Sequence, residues 1–177
     1  MVVRLKRFNI YLLLAVAACC FSGCFGPEHA KKKLAATLSV HLETSHQAGA
    51  RAETISIFRN SPIEMFVERE AFLSEAFITE AKVISVMDGF AVTVQFDHRG
   101  SMLLEQYSAG NRGRHLAVRA RFGKDLDQTR WLAAPLIAGK MANGVLTFTP
   151  DATREEADQI VLGLNNVAKK IQGKLGW

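Results

Sequence analysis

The sequence predicts an α+β domain, a mainly antiparallel sheet covered by a long C-terminal helix and a shorter helix. Three observations predict it. Runs with apolar residues at every second position recur from residue 38 to residue 148, the pattern of half-buried strands. Asp88-Gly89 joins two such runs as a hairpin turn. From Thr153 onward the period lengthens to that of a helix. Ala157, Ile160, Val161, Leu164, Val167, Ala168, Ile171 and Leu175 then form one apolar stripe that must pack on the sheet.

The first strand is expected over Leu38 to Glu43, with Leu38, Val40 and Leu42 inward and Ser39, His41 and Glu43 outward. A loop through Ser45–Ala50 leads to a second strand carrying Ile55 and Ile57. Asn60-Ser61-Pro62 breaks the chain before a third, with Ile63, Met65 and Val67 on one side. Ser74–Thr79 reads as one short helical turn. In the hairpin, Lys82–Met87 and Phe90–Phe96 flank Asp-Gly, the preferred pair for a type I′ turn with positive φ at both positions. A short helix is expected over Ser101–Ala109, with Ser101 as N-cap and Gly110 and Gly113 stopping it. Arg114–Phe122 is a strand with Leu116, Val118, Ala120 and Phe122 inward and Arg119 and Arg121 outward. Trp131–Ile137 is extended, with Pro135 at an edge or bend. Gly144 leads into a last strand, Val145–Phe148. Thr153 and Glu156 fit a capping box for the final helix, whose Arg154, Glu155, Asp158, Asn165, Lys169 and Lys170 are expected to point away.

The N-terminus has a different character. Arg4, Lys6 and Arg7 precede an apolar run from Phe8 to Ala18, and small residues follow, which is the pattern of a signal peptide. Phe21-Ser22-Gly23-Cys24 then resembles the lipobox of bacterial lipoproteins, whose cysteine is acylated and becomes the first mature residue. Phe21 stands where that family usually has Leu. A competing match ends at Cys19; Cys24 is favoured because the hydrophobic run then has a more typical length. The resemblance implies a signal peptide over 1–23, a lipidated cysteine and flexible tether over 24–36, and a domain over 37–177. Phe25 replaces the aspartate that retains such proteins in the inner membrane. That implies a lipid anchor in the outer membrane, facing the periplasm.

Composition narrows the function classes. The three cysteines all lie between 19 and 24, so the domain has no disulfide and no cysteine-ligated zinc. The full chain carries 22 basic and 17 acidic residues. Loss of Arg4, Lys6 and Arg7 leaves 19 basic residues against 17 acidic, and setting aside Lys31–Lys33 leaves 16. The high pI of 9.3 therefore reflects targeting and tethering and gives no support for nucleic-acid binding.

The stretch from about Glu80 to Lys170 resembles the head subdomain of the first periplasmic domain of SecD and SecDF, subunits of the bacterial protein-export machinery. The residues that carry the resemblance are Ala81-Lys82-Val83, Val92-Thr93-Val94-Gln95-Phe96-Asp97, Gly100 and Gly113-Arg114-His115-Leu116-Ala117-Val118. Ala134-Pro135-Leu136-Ile137, Gly144, Phe148-Thr149-Pro150 and Glu156-Ala157 complete it. Glycines, a proline and apolar positions specify a fold better than an activity. The resemblance implies a non-catalytic module that engages polypeptide or an envelope protein partner, linked to export. SecD-type proteins have several membrane spans, and no apolar run after residue 24 is long enough to be one.

Chemical motifs are sparse. Gly110-Asn111-Arg112-Gly113 lacks the Lys-Ser/Thr ending of a phosphate loop. His41 and His46 have no third ligand nearby and read as surface histidines, so no metal and no cofactor are expected. Arg119 and Arg121 are outward on one strand and could bind a carboxylate or an extended chain's carbonyls, although such residues are more often the wet side of a sheet. Trp131 beside Arg130 is a contact candidate, with core packing an equal alternative. These three are the candidate partner contacts, and no catalytic residue is nominated. The alternatives to a binding module are a structural envelope lipoprotein without a soluble ligand, or an enzyme with an unrecognised site.

Overall fold

The structure, a computed structural model, describes residues 34–175. Its strands are β1 (Thr37–Leu42), β2 (Ala52–Ile57), β3 (Ile63–Glu68), β4 (Leu73–Ser74), β5 (Ile78–Val86), β6 (Gly89–Phe96), β7 (Leu116–Phe122), β8 (Gln128–Ala133) and β9 (Val145–Phe148). Its helices are α1 (His98–Gly110) and α2 (Arg154–Leu175). Short 3-10 turns occupy His46–Arg51, Glu75–Phe77 and Lys124–Leu126. The fold class is α+β, as expected. Cys24, Cys19 and the expected signal peptide lie outside the described residues.

The strands divide into three antiparallel sheets: β4-β1-β7-β8, the hairpin β2-β3, and β5-β6-β9. In the first, Leu38, Val40, Leu42, Leu116, Val118, Ala120 and Phe122 are buried, so the period-2 reading of β1 and β7 holds on the inner face. They share one core with Ala81, Val92, Val94 and Phe96 of the third sheet and with Ala157, Ile160, Val161 and Leu164 of α2. Fully burying each large aliphatic side chain contributes about 1.5–3 kcal/mol. The outer face of the first sheet does not face water throughout. The hairpin lays Ile55, Ile57 and Val67 over Ala117, with Trp131 packed beside them. A two-stranded hairpin with one apolar face cannot stand alone, and Ala117 is small enough to seat it.

Several local expectations are corrected. Val86 pairs with Gly89, so Met87 and Asp88 connect the arms, and positive φ falls on Gly89 alone, at 140°. Glycine takes that conformation without the steric cost an aspartate incurs. Helix α1 starts three residues earlier than expected. Its cap is Asp97, whose carboxylate accepts from the Gly100 N–H at 2.7 Å. Ser101 lies inside the first turn and its hydroxyl donates to the Phe96 carbonyl at 3.4 Å. Gly100 is required there: a Cβ would meet those of Phe77 and Phe96 at 2.8 and 2.9 Å. At the other end the Asn111 amide donates to the Tyr107 carbonyl at 3.0 Å, closing the helix before Gly113.

The capping box of α2 is present: Glu156 N–H donates to Thr153 Oγ1 at 3.2 Å, and Thr153 N–H to Glu156 Oε2 at 2.9 Å. Asn165, expected in solvent, instead faces the sheet. Gly163 lets the helix pass against Ala35-Ala36, where a Cβ would come within 2.7 Å of backbone. Among the described residues no helix is long and apolar enough to cross a membrane.

Candidate functional site

The antiparallel register places Arg119 of β7 between Ser39 of β1 and Trp131 of β8, all on the outer face of the first sheet. Arg119 Nε donates to Ser39 Oγ at 3.3 Å, and its guanidinium carbon sits 5.2 Å from the centre of the Trp131 ring. Such a stacked cation on an indole is a favourable pair. Trp131 is half-buried beneath the β2-β3 hairpin, so core packing takes most of its surface. Arg121, two residues along, lies opposite Thr37 and Thr129 and is exposed. Arg119 and Trp131 are therefore one unit, and Arg121 is the accessible member of the expected set.

His41 corrects the expectation of a surface histidine: it is fully buried. Its Nδ1 lies 2.9 Å from the Glu68 carbonyl and its Nε2 lies 3.0 Å from Ser39 Oγ. A carbonyl only accepts, so this network assigns the proton to Nδ1, and the Ser39 hydroxyl donates to Nε2 while accepting from Arg119. Burial holds the imidazole below its ordinary value; Arg119 adds to that effect, and the Glu68 carbonyl and Glu53 oppose it. The ring also meets Trp131 edge-on at 5.1 Å. His46 is exposed and touches Phe66 edge-on at 5.2 Å. No group of three metal-binding side chains occurs among the described residues.

A second feature lies where β9 meets the chain after β8. Strand β9 is an edge of the third sheet. The Phe96 N–H donates to the Gly144 carbonyl at 2.9 Å, so by antiparallel alternation Gly144, Leu146 and Phe148 face β6. The N–H and C=O of Thr147 then point outward, along a groove of about 550 Å³ lined by Phe58, Val86, Ala134, Pro135 and Phe148. A smaller hollow of about 250 Å³ continues it past Phe58 and Ala134 to Ile63, Met65 and Glu64. Phe58 stands at the junction with φ 68°, an uncommon backbone state for a bulky residue. Its neighbour Arg59 secures it: the backbone N–H donates to Asp151 Oδ2 at 2.9 Å and Nε lies 3.3 Å from the same atom. An open edge beside an apolar groove can pair with an added extended chain, the main chain giving affinity and the groove taking alternate side chains.

Sequence reasoning missed this groove, because its walls come from β5, β6, β9 and the segments after β2 and β8. A signal existed in the small outward residues Ala91, Ala117 and Ala134, which mark outer faces that are covered or hollow.

No protein-family model matches the chain, and no curated protein matches it. Solved structures do. One, of "a membrane component SecDF that enhances protein export", superposes with a TM-score of 0.53 at 17% identity, over 75% of this chain and 63% of that one. Another, of SecDF in a "Super-membrane-facing form", gives a TM-score of 0.51 at 18% identity, over 74% of this chain and 19% of that one.

The domain has a SecDF-like fold.

At this identity the likeness is one of fold. The SecDF-like domain spans 63% of the length of the first structure and 19% of the second, so their whole activity does not transfer with it.

Proposed function

We propose that the chain is a non-catalytic envelope lipoprotein whose SecDF-like domain binds extended polypeptide or an envelope protein partner, in connection with protein export. The open β9 edge, with the outward Thr147 main chain beside an apolar groove, carries this reading. The SecDF-like fold supports the link to export, since the similar structure is of a component that enhances it. The lipobox resemblance at Cys24 supports anchorage by acyl chains, each buried CH₂ adding about 0.8 kcal/mol. Phe25 supports the outer membrane. On this reading the tether over 24–36, whose last residues Ala35-Ala36 already pack against α2, holds the domain over 37–177 where exported chains emerge. Arg121, the exposed member of the set, and Arg119 stacked on Trp131 are the proposed side-chain contacts on the outer face of the first sheet, able to meet carbonyls or carboxylates of a partner.

The test is a titration of the full chain against unfolded secretory protein and against envelope extract, with mass spectrometry of the mature N-terminus. Saturable binding and an acylated Cys24 are expected. Absence of binding in both titrations overturns the function, an unmodified Cys24 overturns the anchor, and binding unchanged by alanine at 119, 121 and 131 overturns that contact surface.

A further inference from the structure

The β2-β3 hairpin is attached to the rest of the domain by few contacts. Its apolar side seats Ile55, Ile57 and Val67 on Ala117 and Trp131. Main-chain contacts are the Glu43–Val67 bridge and the Thr44 N–H to the Phe66 carbonyl at 2.8 Å. Arg59 holds the tip to Asp151. At the opposite end, His41 reaches up from β1 to the Glu68 carbonyl. A lone two-stranded hairpin is at best marginally stable in water, so whether it docks depends on these contacts.

We propose that this hairpin is a proton-released flap, with His41 as its sensor. The docked arrangement disfavours the charged ring. In the neutral form Nε2 accepts from the Ser39 hydroxyl, whose oxygen accepts from Arg119 Nε. A proton on Nε2 leaves the Ser39 hydroxyl without its acceptor and adds a second cation beside Arg119, in a site closed to water. Undocked, the ring is solvated and takes up a proton freely. Acid therefore shifts the equilibrium towards the released flap.

The Arg59 pairs with Asp151 and Glu156 at the tip also weaken in acid, but carboxyl groups ordinarily protonate at about 4, below the window tested. The groups facing His41 and the other histidines beside the hairpin do not produce this sign. Glu53 on β2 and the Glu68 carbonyl on β3 favour the cation but are outweighed by burial and Arg119. His115 lies 2.8 Å from Glu43 Oε2, beside the bridge to Val67, so its protonation tightens the attachment. His46 is exposed and only touches Phe66.

Trp131 lies under the flap and reports its release. The experiment uses the full chain with Trp177→Phe, so that Trp131 is the only tryptophan, and follows emission from pH 7.5 to 5. The expected result is a reversible shift to longer wavelength as pH falls below about 6.5, the ordinary histidine range, with the helical signal of the far-ultraviolet circular dichroism unchanged, since both helices lie outside the hairpin. The shift is abolished by His41→Gln and retained by His115→Gln and His46→Gln. No shift, a shift retained in His41→Gln, or a simultaneous loss of helix overturns the proposal. Should His41→Gln fail to fold, histidine NMR of the parent decides. The His41 ring and the amides of β2 and β3 must titrate together, and hairpin amides that stay fixed while the ring titrates overturn it.

Discussion

The side chain of Asn165 pairs twice with the backbone of Ala81. Its Oδ1 accepts the Ala81 N–H at 2.8 Å and its Nδ2 donates to the Ala81 carbonyl at 2.9 Å. A residue of α2 thus takes the place of a neighbouring strand along β5, one edge of the β5-β6-β9 sheet. Exposed edges are templates for pairing with another chain, and proteins cover those they do not use. Here one edge is closed by a helix side chain, while the β9 edge is left beside a groove. The asymmetry is what a sheet that adds a strand at one side requires.

Replacing Asn165 with Leu leaves the Ala81 N–H and carbonyl without partners in a half-buried site. Each unpaired group costs about 1–3 kcal/mol. Denaturant unfolding should show a loss of about 2–6 kcal/mol for the two groups together, and a variant as stable as the parent would remove the edge-closing role.

Leu164 is 1% exposed within the main core. Leu164→Asp places an unpaired carboxylate there and should cost several kcal/mol. Thermal melting checks it; an unchanged midpoint would mean that the assigned buried face of α2 is wrong.

The face of α2 was legible in the sequence because five of its apolar positions, Ala157, Ile160, Val161, Leu164 and Ala168, obey one period and are buried. The same period misplaced Asn165, since a polar residue beside the stripe reads as solvent-facing unless the strand edge it meets is known. His41 failed similarly: alternation put it on the outer face correctly, but only tertiary structure brings a hairpin over that face. The capping box at Thr153 was readable because both partners lie within one turn. The groove was not, because its walls meet only after folding.

Gly163→Ala sets two effects against each other. Alanine favours a helix interior over glycine by about 1 kcal/mol. Against that, the new Cβ would lie 2.7 Å from the backbone at Ala35-Ala36, which cannot rotate away. Overpacking of this kind costs about 1–3 kcal/mol. Net destabilisation is expected in denaturant unfolding, and a more stable variant would contradict the close approach.

Glu156 links acid stability to the start of α2. The Arg130 hydrogen bonds, at 2.9 and 3.0 Å, hold its carboxyl below the usual carboxylate range, the Thr153 N–H and Arg59 help, and partial burial opposes them. A carboxyl depressed in the folded state stabilises at pH above its unfolded value, near 4.5, and that contribution is lost as pH falls through the folded value. Unfolding measured from pH 6 to 3 should therefore show a smaller acid loss in Glu156→Gln than in the parent. Equal losses would assign the acid sensitivity elsewhere.

The most direct test of strand addition uses Thr147→Pro. The Thr147 N–H points away from β6 into the groove, so proline removes a donor the sheet does not use, at an edge position where proline is tolerated. Binding of unfolded secretory protein to the full chain is measured for parent and variant, with circular dichroism confirming the fold. Strand addition at β9 requires saturable binding by the parent and at least roughly tenfold weaker binding by the variant, about 1.4 kcal/mol, since main-chain pairing is lost. Equal affinity in both, or no binding by the parent, would contradict it.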